Sequence, residues 1–173
     1  MNTKEKTYMM ALAALLLIGL STAWASYTAT ETITASSIKD FPTVSNSGSI
    51  TLSNLKKNVW FYKSATNVFT ITVPSGVTSM KINVTVSVVN MGDIADNFKA
   101  LDILVELYNG SECLDSGIIS LEGGISSVVL GSEVKGSHSP YYVKVTISGR
   151  PAKTEDVTIY MYCAVEPAEA VNA

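Results

Sequence analysis

The chain has 173 residues and a mass of 18.4 kDa, a length suited to one domain, with a net charge of −3 and a pI near 5.1. Hydrophobic residues make up 47% and charged residues only 16%, against about a quarter charged in ordinary soluble proteins, so 21 serines and 17 threonines must supply much of the wetted surface. No Lys/Arg run exceeds the pair Lys56-Lys57, which argues against a nucleic-acid footprint and a polybasic membrane anchor, and one His with two Cys cannot make a four-ligand His/Cys metal centre, so neither metal nor cofactor is expected.

Lys4 and Lys6 precede an apolar run from Met9 to Leu20, 12 residues long. That length fits the core of a secretory signal peptide and falls short of the roughly 20 residues that span a bilayer. Ala23-Trp24-Ala25 then fits the small-x-small pattern for cleavage after Ala25. A retained anchor extending to Ala25 is the competing reading, but Ser21 and Thr22 interrupt it. A type IV pilin leader would need a basic-Gly or basic-Ala pair before the apolar run, where the chain reads Lys6-Thr7-Tyr8. Residues 1–25 are therefore expected to be removed on export, leaving no stable membrane anchor.

Residues 26–36 begin SYTATETITA, with Thr28, Thr30, Thr32 and Thr34 on one side and Tyr27, Ala29, Glu31, Ile33 and Ala35 on the other. Alternating threonines favour a β-strand. Residues 37–48, carrying Pro42 and several Ser and Asn, read as a flexible tether to a β-sandwich domain at 49–173. A strand at a chain end pairs either with its own sheet or with a neighbour's open edge. In the second case Tyr27, Ala29, Ile33 and Ala35 fill the acceptor, and the head-to-tail contact generates an open filament.

From Ser49 onward, period-two alternation recurs. Short runs at Ser49–Leu52 and Val59–Tyr62 precede alternating Phe69–Val73 and Met80–Val88. Met91 to Ala100 lacks a strand pattern and has room for one helical turn. Leu101, Ile103, Val105 and Leu107 then alternate with Asp102, Leu104, Glu106 and Tyr108. Weaker strands follow at Ile118–Leu121 and Ser127–Leu130, and strong ones at Tyr141–Ser148 and Val157–Cys163. Gly- and Pro-containing turns separate these segments. Eight or nine short antiparallel strands with one wet face imply an all-β, jelly-roll-like sandwich.

Export to an oxidising compartment predicts a disulfide between Cys113 and Cys163, with two buried free thiols as the alternative. Asn83-Val84-Thr85 and Asn109-Gly110-Ser111 are glycosylation sequons, making Asn83 and Asn109 candidate acceptors. His138 lies in a turn without a nucleophile motif. Asp93 and Asp96 lack the ligand order of a calcium loop. Asp102 and Glu106 share a strand face about 13 Å apart by strand rise, too far for a glycosidase carboxylate pair. No enzymatic activity is expected. Trp60-Phe61-Tyr62 must expose at least one aromatic ring, and Tyr142, Tyr160 and Tyr162 are expected to point outward, as contact residues do.

This layout, a secretory signal, a Thr-rich strand at Ser26 to Ala35, a Ser-rich tether and a hydroxyl-rich sandwich, resembles archaeal bundling pilins and bacterial TasA-type biofilm fibre subunits. The resemblance implies a jelly-roll subunit that donates its N-terminal strand to the next subunit, forming extracellular filaments that bundle, with identical subunits as partners. Thread-type archaeal pilins share that logic. The chain's last residues, Glu166 to Ala173, carry no apolar anchor. The competing reading is a monomeric secreted sandwich that binds polysaccharide or a cell-surface protein through aromatics such as Trp60 or Tyr142.

Overall fold

The alternating segments form two antiparallel sheets in a computed structural model that describes residues 41–46 and 48–168. In chain order they are β1 (Thr43–Asn46), β2 (Ser49–Leu52), β3 (Phe61–Thr72), β4 (Met80–Val88), a short helix α1 (Met91–Ala95), β5 (Phe98–Asn109), β6 (Glu112–Ser120), β7 (Ser127–Val134), β8 (Tyr141–Pro151) and β9 (Val157–Pro167). One sheet has the order β1-β3-β8-β5-β6, the other β2-β9-β4-β7. Strands β2 and β9, β3 and β8, β4 and β7, and β5 and β6 are each hydrogen-bonded neighbours. That is a long hairpin, folded at the β5–β6 turn and rolled up, the topology of a jelly roll.

The inward rows of the two sheets meet as one core. Ile82, Val84 and Val86 of β4, Ile103, Val105 and Leu107 of β5, and Val143, Val145 and Ile147 of β8 are fully buried. β-Branched residues dominate because their restricted rotamers suit a pleated surface. Tyr141 and Asn90 bring paired polar groups to the core. The buried Tyr141 ring directs its hydroxyl to Lys135, accepting from the amide at 2.7 Å. Beyond the end of β4, Asn90 acts as a short strand: its Nδ2 donates to the Thr158 carbonyl and its Oδ1 accepts from the Tyr160 amide, each at 2.9 Å.

Three expectations differ from the structure. Residues 37–48 were expected to be a tether, yet Thr43–Asn46 is strand β1, paired with Phe69–Thr72 of β3; Val44 packs against the core and holds it there. The segments Val59–Tyr62 and Phe69–Val73 were expected as two strands, yet Phe61–Thr72 is continuous. A bulge joins the halves, with Asn67 in the left-handed region at φ 56°.

The third correction concerns the cysteines. Cys113 and Cys163 are free thiols, not a disulfide. Cys113 lies opposite Tyr108 and so shares its outward face on the five-stranded sheet. Cys163 follows Val157, Ile159 and Met161 in the inward row of the four-stranded sheet. One thiol lies outside the sandwich and the other inside it, with the five-stranded sheet between them.

Burial pushes the Cys163 thiol up to about 12, leaving almost no thiolate at physiological pH. A disulfide-exchange reagent applied to the native protein near pH 8 should therefore titrate Cys113 alone, and both thiols after denaturation. Failure to titrate any thiol in the denatured, unreduced chain would restore the disulfide.

Backbone closeness gives a second prediction. A Cβ on Gly48 would collide with the Met161 carbonyl oxygen, whereas one on Gly76 meets nothing within 4 Å. Gly48→Ala should cost about 1–3 kcal/mol through overpacking, lowering the melting temperature by roughly 2–4 °C for each kcal/mol. Gly76→Ala should leave it nearly unchanged, as calorimetry of both variants can check.

Candidate strand-acceptor edge

A sandwich has two rims, and this one treats them differently. At the β6/β7 rim the sheets are locked together. Gly117 lets β6 approach so closely that an added Cβ would overlap the Val128 side chain. Asp115 covers part of the backbone edge: its Oδ2 accepts from the Gly131 amide of β7 and its Oδ1 from the Ser116 amide, both at 2.8 Å. A carboxylate on an edge amide removes the donor a foreign strand would use.

The opposite rim is formed by β1, β2 and β3. After pairing with Phe69–Thr72, β1 leaves the column beside β3 at Asn46, and the chain re-enters the other sheet as β2. Among the described residues, no strand continues that column along Phe61–Ala65 of β3. This stretch of five residues, about 17 Å, pairs with β8 on one side only.

Beneath it the core is incompletely covered. Phe61, Lys63 and Ala65 lie opposite Gly149, Ile147 and Val145, so they face inward, yet Phe61 and Ala65 remain half-exposed and Lys63 is exposed. Lys63 crosses the gap between the sheets and donates to the Thr51 carbonyl of β2 at 2.6 Å. A groove of about 280 Å³ opens here, lined by Leu52, Leu55, Lys63 and the aromatic run Trp60-Phe61-Tyr62. Its lip is apolar and wet: Val59, Trp60 and Tyr62 are 52%, 60% and 73% exposed. Clustered exposed apolar side chains mark a contact surface.

On the same rim, β9 beyond Met161 also lacks a strand neighbour opposite β4 among the described residues. That stretch is guarded. Strand β1 packs against β9, and the strand ends in Glu166-Pro167, a charge and a residue without an amide donor.

The other sequence-predicted residues are dispersed. Tyr27, Ala29, Ile33, Ala35 and the cleavage position Ala25 lie outside the described residues. Asn83 is half-buried on the outer face of β4, between Gly131 and Glu166. Asn109 ends β5, and its Nδ2 donates to the carbonyl of exposed His138 at 2.8 Å. Tyr160 and Tyr162 point outward from β9, more than half exposed. Glu106 forms an ion pair with Lys144 at 3.1 Å. Asp93 and Asp96 are exposed around α1, and among the described residues no three His, Cys, Asp or Glu side chains gather around one point. Also among the described residues, no helix is long and apolar enough to cross a membrane. Lys63 and Asp115, which set the character of the two rims, were not singled out by sequence. Lys63 interrupts an apolar inward row, and that is the signal to look for.

No family model and no curated protein matches the chain. Among solved structures, it is similar to the VP2 subviral particle protein of infectious bursal disease virus at 11% identity and a TM-score of 0.29, over 73% of this chain. The chain spans 32% of that protein's length. It is also similar to TmCBM61, solved in complex with β-1,4-galactotriose, at 14% identity and a TM-score of 0.30, over 73% of this chain and 89% of that one. At TM-scores of this size neither likeness bears on what this chain does.

Proposed function

We propose that the protein is a structural subunit of an extracellular filament, exported through residues 1–25 and polymerised when residues 26–35 of one subunit pair along β3 of the next. The observation that carries this reading is the stretch Phe61–Ala65, which among the described residues pairs with β8 alone and lies above a half-covered core. The work done is assembly and adhesion rather than chemistry. A head-to-tail contact of this kind does not close on itself and so propagates. The outward Tyr160 and Tyr162 supply surface for bundling between filaments.

The residue pattern also fixes a register. A donor keeping the antiparallel direction of β1 can place Ile33 opposite Phe61, Glu31 opposite Lys63 and Ala29 opposite Ala65, all facing inward. Lys63 then exchanges the Thr51 carbonyl for a carboxylate, a stronger charge-assisted partner. A slip of two residues would press Glu31 against Phe61 or Ala65, leaving a carboxylate unpaired among apolar groups. Ala35 reaches the groove lip beside Val59, and Tyr27 extends towards the β3 bulge.

Two measurements test this. Secreted protein boiled in SDS should retain filaments visible by negative-stain electron microscopy, and deletion of residues 26–35 should abolish them. A monomer of about 15 kDa in both samples, a mass set by residues 26–173, would sink the filament reading. Separately, Glu31→Lys or Lys63→Glu alone should reduce detergent-resistant polymer by about tenfold or more through like-charge contact. The double exchange should restore it. Two single variants that polymerise normally would refute the register while leaving the filament intact.

A further inference from the structure

The outer face of the five-stranded sheet carries a second constellation, independent of the filament reading. Tyr108 of β5 and Tyr142 of β8 lie directly opposite each other. Beside them the β3 bulge sets Ala65, Thr66, Asn67, Val68 and Phe69 against only Val145, Lys144 and Val143 of β8. The extra length lifts Thr66 and Asn67 to the rim of a depression of about 240 Å³, which Tyr108, Gly110, Tyr142 and Lys144 complete. Bulges commonly re-aim side chains in this way beside functional sites.

The polar groups here are arranged for a particular kind of guest. Lys144 Nζ lies 3.1 Å from Glu106 Oε2 and 5.5 Å from the centroid of the Tyr108 ring. The Tyr108 hydroxyl donates to Glu106 Oε1 at 3.1 Å. Ammonium and carboxylate cancel, so the depression has no net attraction for an anion, and the Glu106 oxygens repel one. Both groups nevertheless keep capacity: the ammonium has two further donors and the carboxylate further lone pairs. The Thr66 hydroxyl, the Asn67 amide and the Tyr142 hydroxyl have no side-chain hydrogen-bond partner among the described residues. Lys144 already occupies the Tyr108 ring, which leaves the half-exposed Tyr142 ring as the stacking surface.

A neutral guest with adjacent groups that each donate and accept, on a ring with an apolar face, satisfies all of these at once. That chemistry is a vicinal diol on a pyranose. We propose that Tyr142, Asn67, Thr66 and the Lys144–Glu106 pair form a binding site for one neutral sugar unit of a glycan. The volume lies below the roughly 300–1,000 Å³ of pockets that enclose drug-sized ligands, so one ring or one chain terminus is held and the remainder stays in solvent.

Saturation-transfer NMR observes the ligand and therefore works on monomer or filament alike. The intact protein is mixed in turn with methyl β-D-glucopyranoside, methyl β-D-galactopyranoside and methyl α-D-mannopyranoside, with glucose 6-phosphate as the anionic comparison. At least one neutral glycoside should receive saturation, and more strongly than the phosphate. Tyr142→Ala should weaken its binding by about tenfold, the scale of one lost aromatic contact. Asn67→Gly removes the amide while tolerating the positive φ, so it should weaken binding with the fold intact should Tyr142→Ala misfold. No saturation of any neutral glycoside, tighter binding of the phosphate, or binding unaffected by Asn67→Gly and lost instead in Trp60→Ala overturns the proposal. Filament formation by Asn67→Gly is expected to be normal.

Discussion

At Gly48 the chain abandons one sheet for the other. The Met161 amide donates to the Gly48 carbonyl, and the Met161 carbonyl lies where a side chain on residue 48 would begin. Only glycine fits that close approach. The crossing ends β1 after four residues and starts β2, so neither edge strand runs the full length of its neighbour. Phe61–Ala65 is thereby left with β8 on one side and, among the described residues, no strand on the other. The open rim, the half-covered Phe61 and the bridging Lys63 all follow from that early departure.

Hydrogen bonding and burial pull in opposite directions along such a rim. An unpaired edge keeps its amides and carbonyls wet, while the apolar row behind it is better buried. The β6/β7 rim eases the conflict internally, with Asp115 taking an edge amide and Gly117 drawing the sheets together. The β1/β2/β3 rim resolves it partially. Lys63 occupies one carbonyl of β2 and lays its alkyl stem across the gap, but it neither fills the groove nor pairs the edge. An inward-pointing lysine is a known defence against indiscriminate strand addition. Under the proposed strand addition the same residue would discriminate, favouring a donor that presents a carboxylate opposite it over an apolar or basic one.

The fold was legible where residues are buried on one face only. Strands β4, β5, β8 and β9 alternate cleanly because each lies inside a sheet, with its inward row fully buried. Legibility fails at edges. The first half of β3 reads Phe-Tyr-Lys-Ser-Ala-Thr-Asn, since its inward row is uncovered and its bulge breaks the period. Strand β1 offers one hydrophobic residue, Val44, too little pattern to distinguish it from a linker. The cysteines do not pair as expected because an oxidising compartment says nothing about which way two thiols face. Alternation would have placed Cys163 with Ile159 and Met161 in the inward row, and pairing with Tyr108 places Cys113 outside. The candidate edge itself could not be read from residues alone, because an unpaired edge is a property of topology.

The two surfaces that carry the functional readings share one element. Strand β3 offers a backbone edge at Phe61–Ala65 that no strand covers among the described residues and, immediately after it in the bulge, the Thr66–Asn67 rim of the tyrosine depression. The bulge separates the two roles geometrically. Before it, inward and outward rows alternate in step with β8; within it, extra backbone turns polar side chains to the outer face without disturbing Phe69 and Ile71, which resume the buried row. A strand pairing along the edge would rigidify β3 up to the bulge and so fix the platform that Thr66 and Asn67 stand on. In a filament built this way, the Tyr142 face would recur once in every subunit. A site too shallow to hold one sugar tightly then gains strength by repetition, since linked weak contacts multiply effective concentration without any new contact within a subunit.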